Sequence, residues 1–161
     1  MKEISLTKGM VALVDDEDFD YINQWKWYAD FRKDRNTLYA ARAERDTILG
    51  WKRQHKVFMH RVIMDTPEGL VTDHINHNGL DNRKCNMRNV THSQNGMNRA
   101  GAAKNNRLGI RGVERTLNGF RAYIRVQGNR IGFPTRASID EAVLDRKNAE
   151  IKYYGKFRDI A

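Results

Sequence analysis

GIRGVERTLNGFRAYIRVQGNRIGFPTRASIDEAVLDRKNAEIKYYGKF, residues 109–157, is the stretch whose pattern sets the fold class. Its first half holds three short runs rich in β-branched and aromatic residues: IRGVER, FRAYIRVQ and RIGFPT. Leu117-Asn118-Gly119 and Gly128-Asn129 separate them, and Asn-Gly or Gly-Asn pairs between such runs favour tight hairpins. Period-2 alternation places Arg121, Tyr123 and Arg125 on one face of the middle strand. Phe120, Ala122, Ile124 and Val126 take the other. Ser138 and Glu141 then have the spacing of a capping box, and Gly155 ends the helix they open. Ile139, Ala142, Val143, Ala149 and Tyr153 keep mostly to one side of it. A three-stranded antiparallel sheet packed on one helix is expected, which makes the chain α+β.

Upstream, residues 100–108 are small, polar and basic and read as a linker, so the C-terminal domain spans 109–161. The charge follows this division. The chain has 161 residues with 29 Lys+Arg against 20 Asp+Glu, a formal +9. Residues 1–69 are neutral, 70–98 carry +1 and 99–161 carry +8. A basic excess confined to one segment is the footprint of a polyanion ligand. At 40% apolar and 30% charged, the composition is that of a soluble globular protein. The longest apolar run, Met10–Val14, is far below the roughly 20 residues of a membrane span or the 7–15 of a signal-peptide core. Neither is expected. The single cysteine, Cys85, allows no intramolecular disulfide and suits a reducing cytosol.

Residues 1–57 read as an N-terminal, β-rich α+β region. ISLTKGMVALV predicts strand, turn at Gly9, strand. DDEDFDYINQWKWYAD predicts a short helix whose early acids suit the positive end of the helix dipole on a solvated face. Trp25, Trp27 and Tyr28 are candidate core. TLYAARAE and HKVFMHRVIM predict two further strands, and Thr66-Pro67-Glu68-Gly69 a turn. Beyond it, 70–99 reads as mostly irregular and rich in asparagine, with a strand at LVTDHI and a helix at SQNGMNRA capped by Ser93.

All five histidines (His55, His60, His74, His77, His92) lie between positions 55 and 92, apart from the basic third. That separates groups suited to proton transfer from groups suited to phosphate contact. Within VTDHINHNGLDNRKCNMRNVTHSQN, residues 71–95, adjacent Asp73 and His74 point to opposite faces of a strand end. One can hold a cation while the other handles a proton, and imidazole suits a general base at neutral pH. Asn95, on the expected helix, could complete a site with Asp73. Two hard oxygen donors, with water and phosphate filling the rest, make a magnesium-type site.

DHINHNGLDNRKCNMRNVTHSQN, preceded by MHRVI, resembles the HNH nuclease module of the His-Me finger superfamily, in its phage and intron homing-endonuclease branch. The resemblance covers residues 58–99. It implies a ββα-metal finger, with His74 as general base, Asp73 and Asn95 as ligands of one Mg2+ or Mn2+, and Asn86 positioning the loop. Arg61 matches a His-Arg pair ahead of the finger and is a candidate phosphate contact. His74, His77, Cys85 and His92 would formally supply four zinc ligands. With no Cys-x-x-Cys pair beside them, no structural zinc is expected.

The stretch 109–157 resembles the plant APETALA/ethylene-response-factor type of DNA-binding domain, which lays a three-stranded sheet in the major groove. This chain has Phe120 where those domains usually have tryptophan, and Glu114 where they tend to have a basic residue. The resemblance implies double-stranded DNA as partner, with Arg121, Tyr123 and Arg125 on the reading face and Arg111, Arg115 and Arg130 beside them. The function expected is that of a phage or mobile-element endonuclease, hydrolysing a phosphodiester bond in the host cytosol. One finger cuts one strand, so a monomer that nicks is expected, with no membrane association. The alternatives are a non-catalytic DNA-binding regulator and a zinc-stabilised nucleic-acid-binding module.

Overall fold

Apolar and polar residues alternate over Ile4-Ser5-Leu6-Thr7, Val11–Val14 is continuously apolar, and β1 (Lys2–Ser5) pairs antiparallel with β2 (Val11–Val14). The turn between them carries Lys8 and Gly9 at positive φ, 63° and 68°, where glycine is at ease and lysine is not. The computed structural model describes residues 1–33, 36–48, 51–99, 101–103 and 105–158, apart from the side chains of 46–48 and 51–53. The fold mixes helices with small antiparallel sheets, as the α+β expectation requires. It divides into two compact units, Met1–His92 and from Ser93 onward.

In the first unit, α1 (Asp16–Ile22) leads to a sheet of order β3-β4-β5, formed by Tyr28–Arg32, Thr37–Ile48 and Trp51–Phe58. α2 (Met59–Ile63) follows β5 at once. β6 (Val71–His74) and β7 (Met87–Val90) form a separate antiparallel pair. Ile4, Ala12, Val14, Ile22, Trp27, Ala40 and Met59 are buried together, with Val62 and Leu80 packed against them. Burying each large side chain contributes about 1.5–3 kcal/mol. The Trp27 indole N–H is satisfied there, donating to the Ile22 carbonyl at 2.8 Å.

Three expectations are corrected. MHRVI is helix rather than the end of a strand, burying Met59 and His60; five residues are too few to display a helical period. β3 and β7 lie in stretches with no strand pattern of their own and exist because β4 and β6 pair with them. The acids before and in α1 are also engaged rather than merely solvated. Asp15 accepts the Lys84 backbone N–H at 2.7 Å, and Glu17 and Asp18 accept the Lys84 ammonium at 2.6 and 3.0 Å.

β2 reaches further into the 75–86 loop through its backbone. The Leu13 N–H donates to the Leu80 carbonyl and the Asn82 N–H to the Leu13 carbonyl, both at 2.8 Å. Gly79 seats the same loop on β4. A Cβ there would stand 2.4 Å from the Leu38 carbonyl oxygen and 2.7 Å from the Tyr39 ring. Because the nearer atom is backbone, the clash cannot be relieved by a rotamer change. Gly79→Ala is expected to cost about 1–3 kcal/mol, read as a lowered melting temperature; an unchanged one would mean the loop can lift away freely.

The second unit opens within α3 (His92–Met97), so Ser93 lies inside that helix rather than capping it. β8 (Val113–Thr116), β9 (Gly119–Val126) and β10 (Asn129–Arg136) form an antiparallel sheet of order β10-β9-β8. α4 (Ile139–Tyr154) packs on it, with the Ser138/Glu141 capping box complete. Ala122 and Ile124 are buried while Arg121 and Arg125 are exposed, so the alternation of β9 follows its sequence. Ile124, Ala149 and Tyr154 form the core, with Val126, Ile131 and Phe133 against them. The β9–β10 turn centres on Gln127 and Gly128, with φ of 50° and 83°, one residue earlier than the Gly128-Asn129 pair suggested. Among the described residues no helix is long and apolar enough to cross a membrane.

Candidate functional site

Asn86 holds the β6–β7 loop in shape. Its Oδ1 accepts the Asn76 N–H at 3.1 Å and its Nδ2 donates to the Asp81 carbonyl at 2.9 Å. Asn76 and Asn78 accept backbone N–H groups two residues ahead, at 2.9 and 3.1 Å, which is how asparagine shapes turns. Asp81, 2% exposed, takes both Arg83 Nε and Nη2 at 2.7 Å. Arg83 holds its carboxyl below the usual carboxylate range. The asparagine density of this stretch is therefore largely the price of a loop that doubles back on itself.

Asp73 and His74 end β6, both buried, at 6% exposure each. Asp73 lies in register with Arg88 on β7, and its Oδ2 accepts Arg88 Nε at 2.9 Å, with Nη2 at 2.8 Å. His74 sits among Tyr39, His60 and Asn82. Its ring is edge-on to His60 at 5.2 Å and tilted against Tyr39 at 5.8 Å. Phe58 stacks on His60 at 5.4 Å.

His74 Nε2 stands 3.1 Å from Asn82 Oδ1. Asn82 is fully buried, and its Nδ2 faces the Leu80 carbonyl and Met59 Sδ, each at 3.5 Å. A carbonyl can only accept, so it fixes the amide with nitrogen toward Leu80 and oxygen toward the imidazole. An amide oxygen also only accepts, so the neutral ring carries its proton on Nε2 and its lone pair on Nδ1. Asn82 thus selects the tautomer. Asn82 and Arg88 escape sequence reading: one is an asparagine among many, and the other needs the β6–β7 register to be known.

Burial among these rings pushes the His74 pKa below the ordinary imidazole value, against the opposing pull of Asn82, Asp73 and Asp81. The unfolded chain therefore binds more protons than the folded one between the depressed value and about 6.5. Stability should fall as pH drops through that window, by up to about 1.4 kcal/mol per pH unit for one group. Melting temperatures between pH 7.5 and 5 check this; His74→Gln should flatten the decline, and an equal decline in both proteins would assign it elsewhere.

The other candidates are dispersed. Arg61 on α2 is exposed. Asn95 is half-buried on α3, in the second unit, whereas Asp73, His74 and Asn86 belong to the first. His92 and Cys85 are exposed, and His77 holds a left-handed turn at φ 62°. Among the described residues no three His, Cys, Asp or Glu side chains are grouped as a metal site.

On the sheet of the second unit, cross-strand partners share a face. Arg121, Tyr123 and Arg125 of β9 therefore stand with Glu114 of β8 and Arg130 of β10. Arg115 is opposite Phe120 and takes the other side of edge strand β8. Arg111 is engaged with the end of α3, donating to the carbonyls of Gly96 and Met97 at 2.9 and 3.2 Å and to that of Arg99. A cleft of about 880 Å³ beside the sheet is lined by Arg99, Arg107, Arg115 and Arg125, with Glu114 the acid among its residues. No family profile, curated protein or solved structure matches the chain.

Proposed function

We propose that the protein is a metal-dependent DNA endonuclease of the HNH type, encoded by a phage or mobile element, that nicks duplex DNA. The observation that carries this reading is His74: a buried imidazole whose Nε2 faces Asn82 Oδ1 at 3.1 Å, beside a buried carboxylate. That is the preparation a general base needs before substrate arrives. His74 Nδ1 takes a proton from water as the oxygen attacks phosphorus in line with the 3′ oxygen, the P–O3′ bond breaks, and the 3′ oxygen leaves with a proton from solvent. Asn82 holds the Nε2 proton throughout, so the imidazolium forms in place. Asn86 keeps the loop that presents the pair.

A divalent cation, when bound, supplies charge stabilisation for the phosphoryl oxygens. The carboxylate oxygens of Asp73 are hard donors of the kind suited to Mg2+ or Mn2+. Asp73 Oδ2 also accepts from Arg88, so a cation bound there would share the carboxylate with a guanidinium. The exposed Arg121 and Arg125, with Tyr123 between them, supply a cationic face for double-stranded DNA.

The test is supercoiled plasmid incubated with protein and Mg2+ or Mn2+, with and without chelator. Open circles that form only with metal are the expected result. The Arg88–Asp73 ion pair favours a second reading, a DNA-binding regulator that does not cut. Retarded but uncut plasmid at every metal concentration would establish that one instead.

A further inference from the structure

The sheet face that carries Arg121, Tyr123, Arg125 and Arg130 also carries one acid. Glu114 is directly opposite Arg121 in the β8–β9 register. Arg121 Nε and Nη2 donate to its Oε1 at 3.1 and 2.8 Å, and Arg130 Nη2 donates to its Oε2 at 2.6 Å. The Arg130 guanidinium in turn lies 4.0 Å from the centre of the Tyr123 ring. One carboxylate thus ties all three strands together on a single face. All three charged side chains are partly exposed, and exposed ion pairs contribute little to stability. Stability is a poor reason for an acid to sit on a face built to meet a polyanion.

Recognition is a better one. A carboxylate has about four acceptor positions, and the three guanidinium N–H groups leave room for a further donor. Arg121 and Arg130 also hold the carboxyl below its usual range, so it stays ionised at neutral pH. The major groove, about 12 Å wide, is the one that admits β-strands. There guanine offers only acceptors and thymine an acceptor and a methyl group, while cytosine offers its N4 amino donor. Adenine has a donor too, but with the N7 acceptor beside it. The two arginines, oriented by the carboxylate, keep N–H groups for guanine O6 and N7.

We propose that Glu114 is a specificity-determining residue that selects cytosine at one position of the target and orients Arg121 and Arg130 toward neighbouring bases. The inference rests on the sheet binding duplex DNA. It is tested on the full-length protein with a pool of duplexes randomised over their central base pairs, the retained fraction being sequenced for the parent and for Glu114→Gln. The parent should enrich a site with cytosine at one position. Glu114→Gln should lower the preference there by about tenfold, a typical single-contact loss, and should bind unrelated duplex several-fold more tightly because a negative charge is gone. Glu114→Ala should do the same. Identical enriched sites for parent and both variants would overturn the role of Glu114 and leave the DNA-binding face standing. A parent that retains no duplex at all would overturn both.

Discussion

His74→Ala is expected to reduce plasmid nicking by about 10²–10⁴-fold, the usual contribution of a positioned general base, while affinity for duplex DNA stays within a few-fold of the parent. The separation follows from where the groups lie. The imidazole is buried among Tyr39, His60 and Asn82, and the exposed arginines with Tyr123 are on another unit. Removing the ring leaves the buried Asn82 Oδ1 without its imidazole, a loss of about 1–3 kcal/mol in stability. The variant must therefore be assayed below its own melting transition. A folded variant that still cuts at a comparable rate would remove His74 from the chemistry.

Asp73→Asn is expected to lower nicking at fixed Mg2+ by at least about 100-fold, since loss of groups that merely orient a metal ligand costs about 10–100-fold. Asparagine is preferable to alanine here. Breaking a buried ion pair by truncating one partner costs about 3–5 kcal/mol, and alanine would remove the Oδ2 that now accepts from Arg88. The amide oxygen of Asp73→Asn still accepts from Arg88 but lacks the charge. A Mg2+ titration of nicking separates weakened metal binding from lost chemistry: activity recovered at high Mg2+ identifies a ligand. Parent-like activity at every Mg2+ concentration would show that Arg88 is the true partner of Asp73 and that the carboxylate serves the fold.

The second unit was the more legible half of the chain because its signals are local. Strand alternation in Phe120–Val126, turn residues on either side and a cap at Ser138 all act within a few residues of themselves. Even there, Arg146 is buried on the sheet-facing side of α4, donating to the Tyr123 carbonyl at 2.6 Å, where a search for apolar positions passes over it. The first unit is less legible because its elements are short and define one another. Four residues of β7 in an asparagine-rich stretch have no pattern until β6 pairs with them. Asp73 and His74 could be picked out by residue type and adjacency. The tautomer of His74 could not, since it depends on Asn82, and the position of Asn82 depends on Leu13 of β2.

That last dependence reaches beyond the finished structure. Asp15 and Lys84 are joined across a sequence separation of 69 residues, and Glu17 and Lys84 across 67. Contacts this distant close slowly, after nearby hairpins have formed. A ribosome must release the whole stretch through Lys84 before the loop that presents the imidazole can be locked. The 75–86 loop is thus locked late in the life of each new chain, and the cleavage proposed above would have to wait for it.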